Sequence, residues 1–197
     1  APARLGRQRA GRDAGPMTDA QSEPTMETRR LYEGKILNLR VDTVRMPNGH
    51  AATREIVEHC PAVCIVPVDC HGNVLLVRQY RKPAEAELLE VPAGGMDDGE
   101  TPEEAALREL QEEIGFTAGT LRHLSSSWVA PGWCTELLHG YLATDLRPSR
   151  LAPDEDENIT LVPVPLDRIP GMIESGEIQD MKSIAYLLLA LRFTGNG

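Results

Sequence analysis

"PAGGMDDGETPEEAALRELQEEIGF" (92–116) carries eight carboxylates, four glycines and one arginine. Its second half reads as a helix over 101–114. Thr101 and Glu104 have the T-x-x-E spacing of a capping box, where side chains and backbone of the first turn satisfy one another. Pro102 falls at the first helical position, where its missing N–H does no harm, and Gly115 is the expected stop. Glu109, Glu112 and Glu113 then stand at i, i+3 and i+4 and project from one face. Three carboxylates there repel one another. The face is therefore either a solvated acidic surface or the seat of a divalent cation that removes the repulsion. Mg²⁺ or Mn²⁺ suits it, because hard cations take oxygen ligands and keep positions for water and phosphate. Glu103 and Glu104 need no such role, since negative charge in a first turn complements the helix dipole. "AGG" (93–95) lets backbone approach closely, and the Ala93 carbonyl is a further candidate hard ligand. Arg108 is expected to tie the preceding loop to the helix through an ion pair with Glu100.

Outward from this helix the chain reads mostly as strands. "KILNLRVDTVRM" (35–46) alternates with period two, "PNG" (47–49) is a hairpin turn, and "HAATREIVEH" (50–59) returns. "AVCIVPVD" (62–69) is nearly all apolar and marks a central strand. "VLLVRQYR" (74–81) pairs back through "CHGN", and "ELLEVP" (87–92) is another short strand. Downstream, 120–129 and 136–143 are strands joined by "APGWCTE". A charged "PDEDEN" (153–158) precedes the strand "ITLVPVP", and two helices close the chain at 166–175 and 180–193. Strands interleaved with helices predict an α/β sandwich around a mixed sheet.

The 197 residues suffice for one core-bearing domain and an appendage. With 41% hydrophobic and 25% charged residues, the chain reads as soluble and globular. The formal net charge is −10; residues 1–16 hold four Arg and one Asp, so the rest carries −13. An acidic body does not suggest a nucleic-acid binder, and it repels an anionic substrate unless cations intervene. No apolar run approaches a membrane span and no secretory signal is read, so no membrane partner and a cytoplasmic location are expected. Cys60, Cys64, Cys70 and Cys134 form no CxxC pair and are expected to be buried thiols in strands. Residues 1–27 lack periodicity and are expected to be a disordered tail.

The acidic stretch resembles a known family. Gly94, five residues, Glu100, seven residues, then Arg108-Glu109-Leu110-Gln111-Glu112-Glu113-Ile114-Gly115-Phe116 matches the Nudix box, G-x5-E-x7-R-E-U-x-E-E-x-G-U, at every fixed position. The resemblance implies a Nudix α/β/α sandwich with a mixed β-sheet. It implies metal-assisted attack of water on a phosphorus of a nucleoside diphosphate. The implied metal is Mg²⁺, with Mn²⁺ or Zn²⁺ as alternatives, held by Glu109, Glu112, Glu113 and Ala93.

Other stretches are similar to the ADP-ribose pyrophosphatase branch. Pro131 lies 16 positions after Gly115 in "WVAPGWCTE". Pro131, Gly132, Trp133 and Glu136 fit the branch pattern, whereas Cys134 and Thr135 replace its hydroxyl residue and its Asp. "TREIVEH" (53–59) resembles the strand that reaches the adenosine half, which implies Arg54 and Glu55 as substrate contacts. "VRQYR" (77–81) implies that Arg81 grips the diphosphate. "GEIQDMKSIAYLLL" (176–189) looks like the branch's last helix. The loop "DEDEN" supplies Glu155 and Glu157 as candidates to deprotonate water, with Glu136 a further candidate base and Glu112 counted among the catalytic residues.

The implied organisation is a tail (1–27), an N-terminal antiparallel β-hairpin subdomain on the adenosine side (28–60) and a Nudix domain (61–195). The implied activity is that of an ADP-ribose diphosphatase yielding AMP and ribose 5-phosphate. Alternatives are pyrophosphatases for other ADP-sugars, GDP-mannose or dinucleotides, and a non-catalytic nucleotide sensor. The partners expected are the small-molecule substrate and a second copy of the chain, in a homodimer with exchanged N-terminal strands.

Overall fold

A computed structural model describes residues 22–152 and 158–194. β1 (Thr25–Glu33), β2 (Leu37–Arg45) and β3 (Ala51–His59) form an antiparallel sheet in that order. A second sheet runs β7-β4-β9-β8, from β4 (Ala62–Pro67), β7 (Ala93–Gly95), β8 (Phe116–Trp128) and β9 (Leu137–Pro148). Within it β4 and β9 are parallel, and the other pairs are antiparallel, so the sheet is mixed as expected. A third sheet, order β10-β5-β6, is built from β5 (Asn73–Arg81), β6 (Ala86–Glu90) and β10 (Ile159–Pro165).

All six residues of β4 are buried, and their alternation feeds two cores. Val63 and Ile65 pack with Leu75, Val77, Ala105, Ala106 and Leu110, under α1 (Pro102–Glu109). Cys64 and Val66 face the other way. They pack with residues of α2 (Ile169–Glu174) and α3 (Met181–Thr194), among them Met172 and Leu187. Helices therefore cover both faces, the expected α/β/α layering.

Four local readings need correction. β1 starts at Thr25, inside the expected tail, and all nine of its residues are exposed; with no buried face it has no alternation to read. The α-helix ends at Glu109 and continues as a π turn over Leu110–Ile114, closed by Gly115 at φ 75°. Ala93–Gly95 is a short strand paired with β4 rather than a loop. Only Cys64 is a buried thiol, since Cys60 and Cys70 are exposed and Cys134 is partly so. Burial pushes the Cys64 thiol up from its ordinary pKa.

Candidate active site

The capping box forms: the Glu104 amide donates to Thr101 Oγ1 at 3.3 Å and the Thr101 amide donates to Glu104 Oε2 at 2.9 Å. This fixes the helix start, and with it the direction of the next three turns. Arg108 lies at the centre of the carboxylates. Its Nε and Nη2 form a fork on Glu100 at 2.9 and 3.0 Å, as expected. Nη1 also donates to Glu109 Oε1 at 2.7 Å and Glu112 Oε2 at 2.8 Å, and Nη2 to the Gly95 carbonyl at 2.8 Å. The hydrogen bonds to Glu100 hold the Arg108 proton most tightly and lift its pKa above the ordinary range. The same contact lowers the Glu100 carboxyl.

Glu109 is 6% exposed. A Cβ at Gly94 would sit 2.0 Å from Glu109 Oε1, so glycine is what leaves the carboxylate its place. Glu113 Oε2 accepts from the Ala93 amide at 3.1 Å. The strand thus meets the third glutamate through its N–H. Among the described residues, no group of three or more His, Cys, Asp and Glu side chains is arranged to hold a metal ion. Glu109 and Glu112 are engaged by Arg108 and Glu113 by the Ala93 amide, so a bound cation would replace these contacts.

Arg81 binds Glu90 through a fork, with Nε and Nη2 each at 2.9 Å. Glu90 is 2% exposed and also pairs with Lys182. Lys182 reaches Asp180 at 2.7 Å. Asp180 caps α3, accepting from the Ser183 amide at 3.0 Å and its hydroxyl at 2.6 Å. The Arg81 pKa is raised, first by the hydrogen bond to Glu90, with smaller contributions from Glu113 and Asp180, so this network borders the glutamate helix.

Pro131 and Gly132 lie in a turn closed by the Trp133 and Cys134 amides on the Ala130 carbonyl, at 3.1 and 2.9 Å. That loop is fastened to β3. The Val57 amide donates to Trp133 O at 2.8 Å, the Thr135 amide to Val57 O at 3.0 Å, and the His59 amide to Thr135 Oγ1 at 3.0 Å. Thr135, a departure from the branch pattern, is therefore a hydroxyl that fastens this loop to β3. The Glu136 carbonyl accepts from the Val129 amide at 3.2 Å.

A cleft of about 380 Å³ is lined by Gly94, Asp97, Arg108, Glu109 and Glu112 together with Lys35, Ile36, His59 and Cys60. A larger hollow of about 650 Å³, between the β4–β5 turn and the ends of β8 and β9, contains none of these residues. Arg54 and Glu55 do not join the cleft. Arg54 is five residues before His59, about 17 Å along the strand, where it forks onto Glu23 at 2.8 and 2.7 Å. Glu155 and Glu157 lie outside the described residues. Sequence reasoning missed Glu90, whose signal was a charge inside the apolar run "ELLEVP", and it missed the β1–β2 turn on the cleft.

Residues 58–187 match the NUDIX domain family. The chain belongs to the Nudix family. Ahead of that domain, residues 23–57 match the nucleoside diphosphate sugar hydrolase N-terminal domain, which spans β1 to β3. An ADP-ribose pyrophosphatase of Bacillus subtilis is 39% identical over 172 residues, covering 85% of this chain and 93% of its own. An ADP-ribose pyrophosphatase of Mycobacterium tuberculosis is 41% identical over 167 residues, covering 83% of this chain and 81% of its own. A crystal structure of an ADP compounds hydrolase superposes with a TM-score of 0.81 at 26% identity, covering 91% of this chain and 99% of that one. No helix among the described residues is long and apolar enough to cross a membrane.

Nudix hydrolases generally need a divalent metal ion, and the residues present fit one. The donors are all hard oxygens. Carboxylates outnumber the single guanidinium, and Arg108 Nη1 already lies between Glu109 and Glu112 as a cation would.

Proposed function

We propose that this chain is a Mg²⁺-dependent Nudix pyrophosphatase that hydrolyses ADP-ribose to AMP and ribose 5-phosphate. The observation that carries the reading is the cleft, lined jointly by Nudix-box carboxylates and by the turn and end of a nucleoside-diphosphate-sugar-hydrolase N-terminal sheet. The names of the two relatives and of the superposed structure support the ADP moiety.

Glu109, Glu112 and Glu113 would hold the metal. Bound there, Mg²⁺ polarises phosphoryl oxygens and lowers the pKa of a water. Arg108 holds the glutamates in place and fixes the loop that precedes the helix. Arg81 offers a planar bidentate donor to the diphosphate, held in position by Glu90. The loop of Pro131, Gly132 and Glu136 walls the sugar side. Glu155, assigned on the resemblance to the branch, accepts the proton of the attacking water, with Glu157 its alternative. Water adds to phosphorus, the anhydride P–O bond breaks, and the leaving phosphate takes the electron pair.

The active unit is a homodimer. Arg54 lies about 17 Å along β3 from its own cleft, which supports its action, with Glu55, in the partner's site. β1 exposes Met26, Leu31 and Tyr32, apolar surface of the kind a second subunit covers.

Product analysis tests the activity. Incubation with Mg²⁺ and a panel of ADP-ribose, ADP-glucose, GDP-mannose and NADH is expected to release AMP from ADP-ribose in strong preference. GMP from GDP-mannose as the main product would overturn the substrate. Sedimentation at micromolar concentration is expected to give a dimer, and a fully active monomer would refute the exchange.

A further inference from the structure

The β1–β2 turn has no task in the reading above, yet it stands on the cleft. Lys35 and Ile36 line it together with Glu109 and Glu112. The same two residues line an adjoining hollow of about 440 Å³ that includes Arg30 and Glu58. The turn is held in one shape: the Gly34 amide donates to Leu37 O at 3.1 Å and to Asn38 Oδ1 at 3.3 Å. A Cβ on Gly34 would come within 2.5 Å of the Tyr32 ring, so the ring closes on the turn only because glycine is there.

Lys35 is the cation this turn presents. Among the described residues it makes no hydrogen bond and no ion pair. The other basic side chains of the cleft differ. Arg108 already donates to Glu100, Glu109, Glu112 and Gly95, and His59 turns Nδ1 to the Cys60 carbonyl at 2.7 Å. An anionic substrate entering this cleft meets Asp97, Glu109 and Glu112. Beside the metal and Arg81 of the reading above, a donor not engaged within the protein is placed to offset that charge. A lysine ammonium is a compact charge on a flexible stem, suited to a phosphoryl oxygen.

We propose that Lys35 contacts a phosphoryl oxygen of the diphosphate. This rests on the reading of the cleft as a diphosphate site. It gives the N-terminal sheet two duties at its two ends: the β1–β2 turn completes the cleft of its own chain, whereas Arg54 serves the partner. Lys35 thereby adds a substrate-binding residue outside the Nudix box, contributed by a segment that precedes the catalytic domain.

The test compares Lys35→Met and Lys35→Arg with the unaltered protein, in ADP-ribose hydrolysis and in calorimetric binding of inorganic pyrophosphate, both with Mg²⁺. Losing one charge-assisted hydrogen bond corresponds to about tenfold in affinity. Lys35→Met is therefore expected to raise KM and weaken pyrophosphate binding about tenfold with little change in kcat. Lys35→Arg should recover most of both. The melting temperature should not move, because Lys35 has no internal partner to lose. Unchanged KM and unchanged pyrophosphate affinity in Lys35→Met would overturn the proposal. If the unaltered protein leaves ADP-ribose intact, the proposed activity fails by itself and pyrophosphate binding decides Lys35. Tenfold weaker binding by Lys35→Met supports the contact; equal binding, or none by the unaltered protein, refutes it.

Discussion

Two ion clusters lie side by side in this molecule and are built in opposite proportions. Around Arg108, one guanidinium serves Glu100, Glu109 and Glu112 at the edge of an open cleft. Around Glu90, one buried carboxylate serves Arg81 and Lys182, and Asp180 brings the second negative charge. The Glu90 cluster is balanced around a buried carboxylate, with Arg81 partly exposed at its edge. The Arg108 cluster keeps a surplus of negative charge beside solvent, which attracts a cation. The contrast separates a balanced anchor, which holds Arg81 in position, from a surplus that can take a cation, even though both clusters are made of the same residue types.

The strongest way to break this contrast is Glu113→Gln. It should lower AMP release from ADP-ribose by about a thousandfold, a loss of ~4 kcal/mol of transition-state stabilisation, while far-UV circular dichroism stays unchanged. A loss below tenfold would mean that the surplus charge is not the functional one.

Glu90→Ala tests the other side. It strips the shared partner from two cations and should cost about 3 kcal/mol in urea denaturation. That is the low end for a broken buried pair, because Arg81 and Lys182 keep some access to water. Glu112→Gln, by contrast, should leave urea stability nearly unchanged. Equal destabilisation by the two variants would erase the distinction.

Acid titration sharpens it further. Burial pushes the Glu90 carboxyl up, but the Arg81 hydrogen bond and the Lys182 charge outweigh it, so the net shift is downward. Asp180 shifts the same way, with burial opposed by the charge and hydrogen bond of Lys182. A carboxylate whose folded pKa is depressed stabilises the fold fully above its unfolded pKa. It loses that contribution as pH falls through the folded value. Stability should therefore fall as pH drops below about 4, the ordinary carboxylate range, and Glu90→Gln should flatten that slope. The smallest effect is expected from Thr101→Ala, about 1 kcal/mol in chemical denaturation, from loss of the cap that aims the glutamate helix.

The helix and its cap were legible because their signals are local: Thr101, Pro102, Glu104 and Gly115 each act within one turn. The fork of Arg108 on Glu100 was legible for the same reason. Its second hand on Glu109 and Glu112 was not, because the three glutamates had been read as facing a cation from outside. β1 escaped detection because a strand exposed along its whole length carries no burial pattern. The cluster around Glu90 escaped because Lys182 is 92 residues from Glu90 in the chain. No window of sequence joins them; the packing of α3 does. Thr135 shows the reverse case: a mismatch to the family pattern that the fold uses, as a hydroxyl bridging β3 and the loop of Pro131.

The parallel pairing of β4 with β9 also bears on how the chain is made. Ala62 pairs with Leu138, which the ribosome adds 76 residues later. At about 5–20 residues per second, that is an interval of roughly 4–15 s. Throughout it "AVCIVP", the most deeply buried strand of the finished protein, lacks its central neighbour; β7 offers a partner to only Ala62, Val63 and Cys64. The nascent chain is thus most prone to self-association in this window, and holding chaperones that cover residues 62–67 should raise soluble yield more than any change at the mature surface.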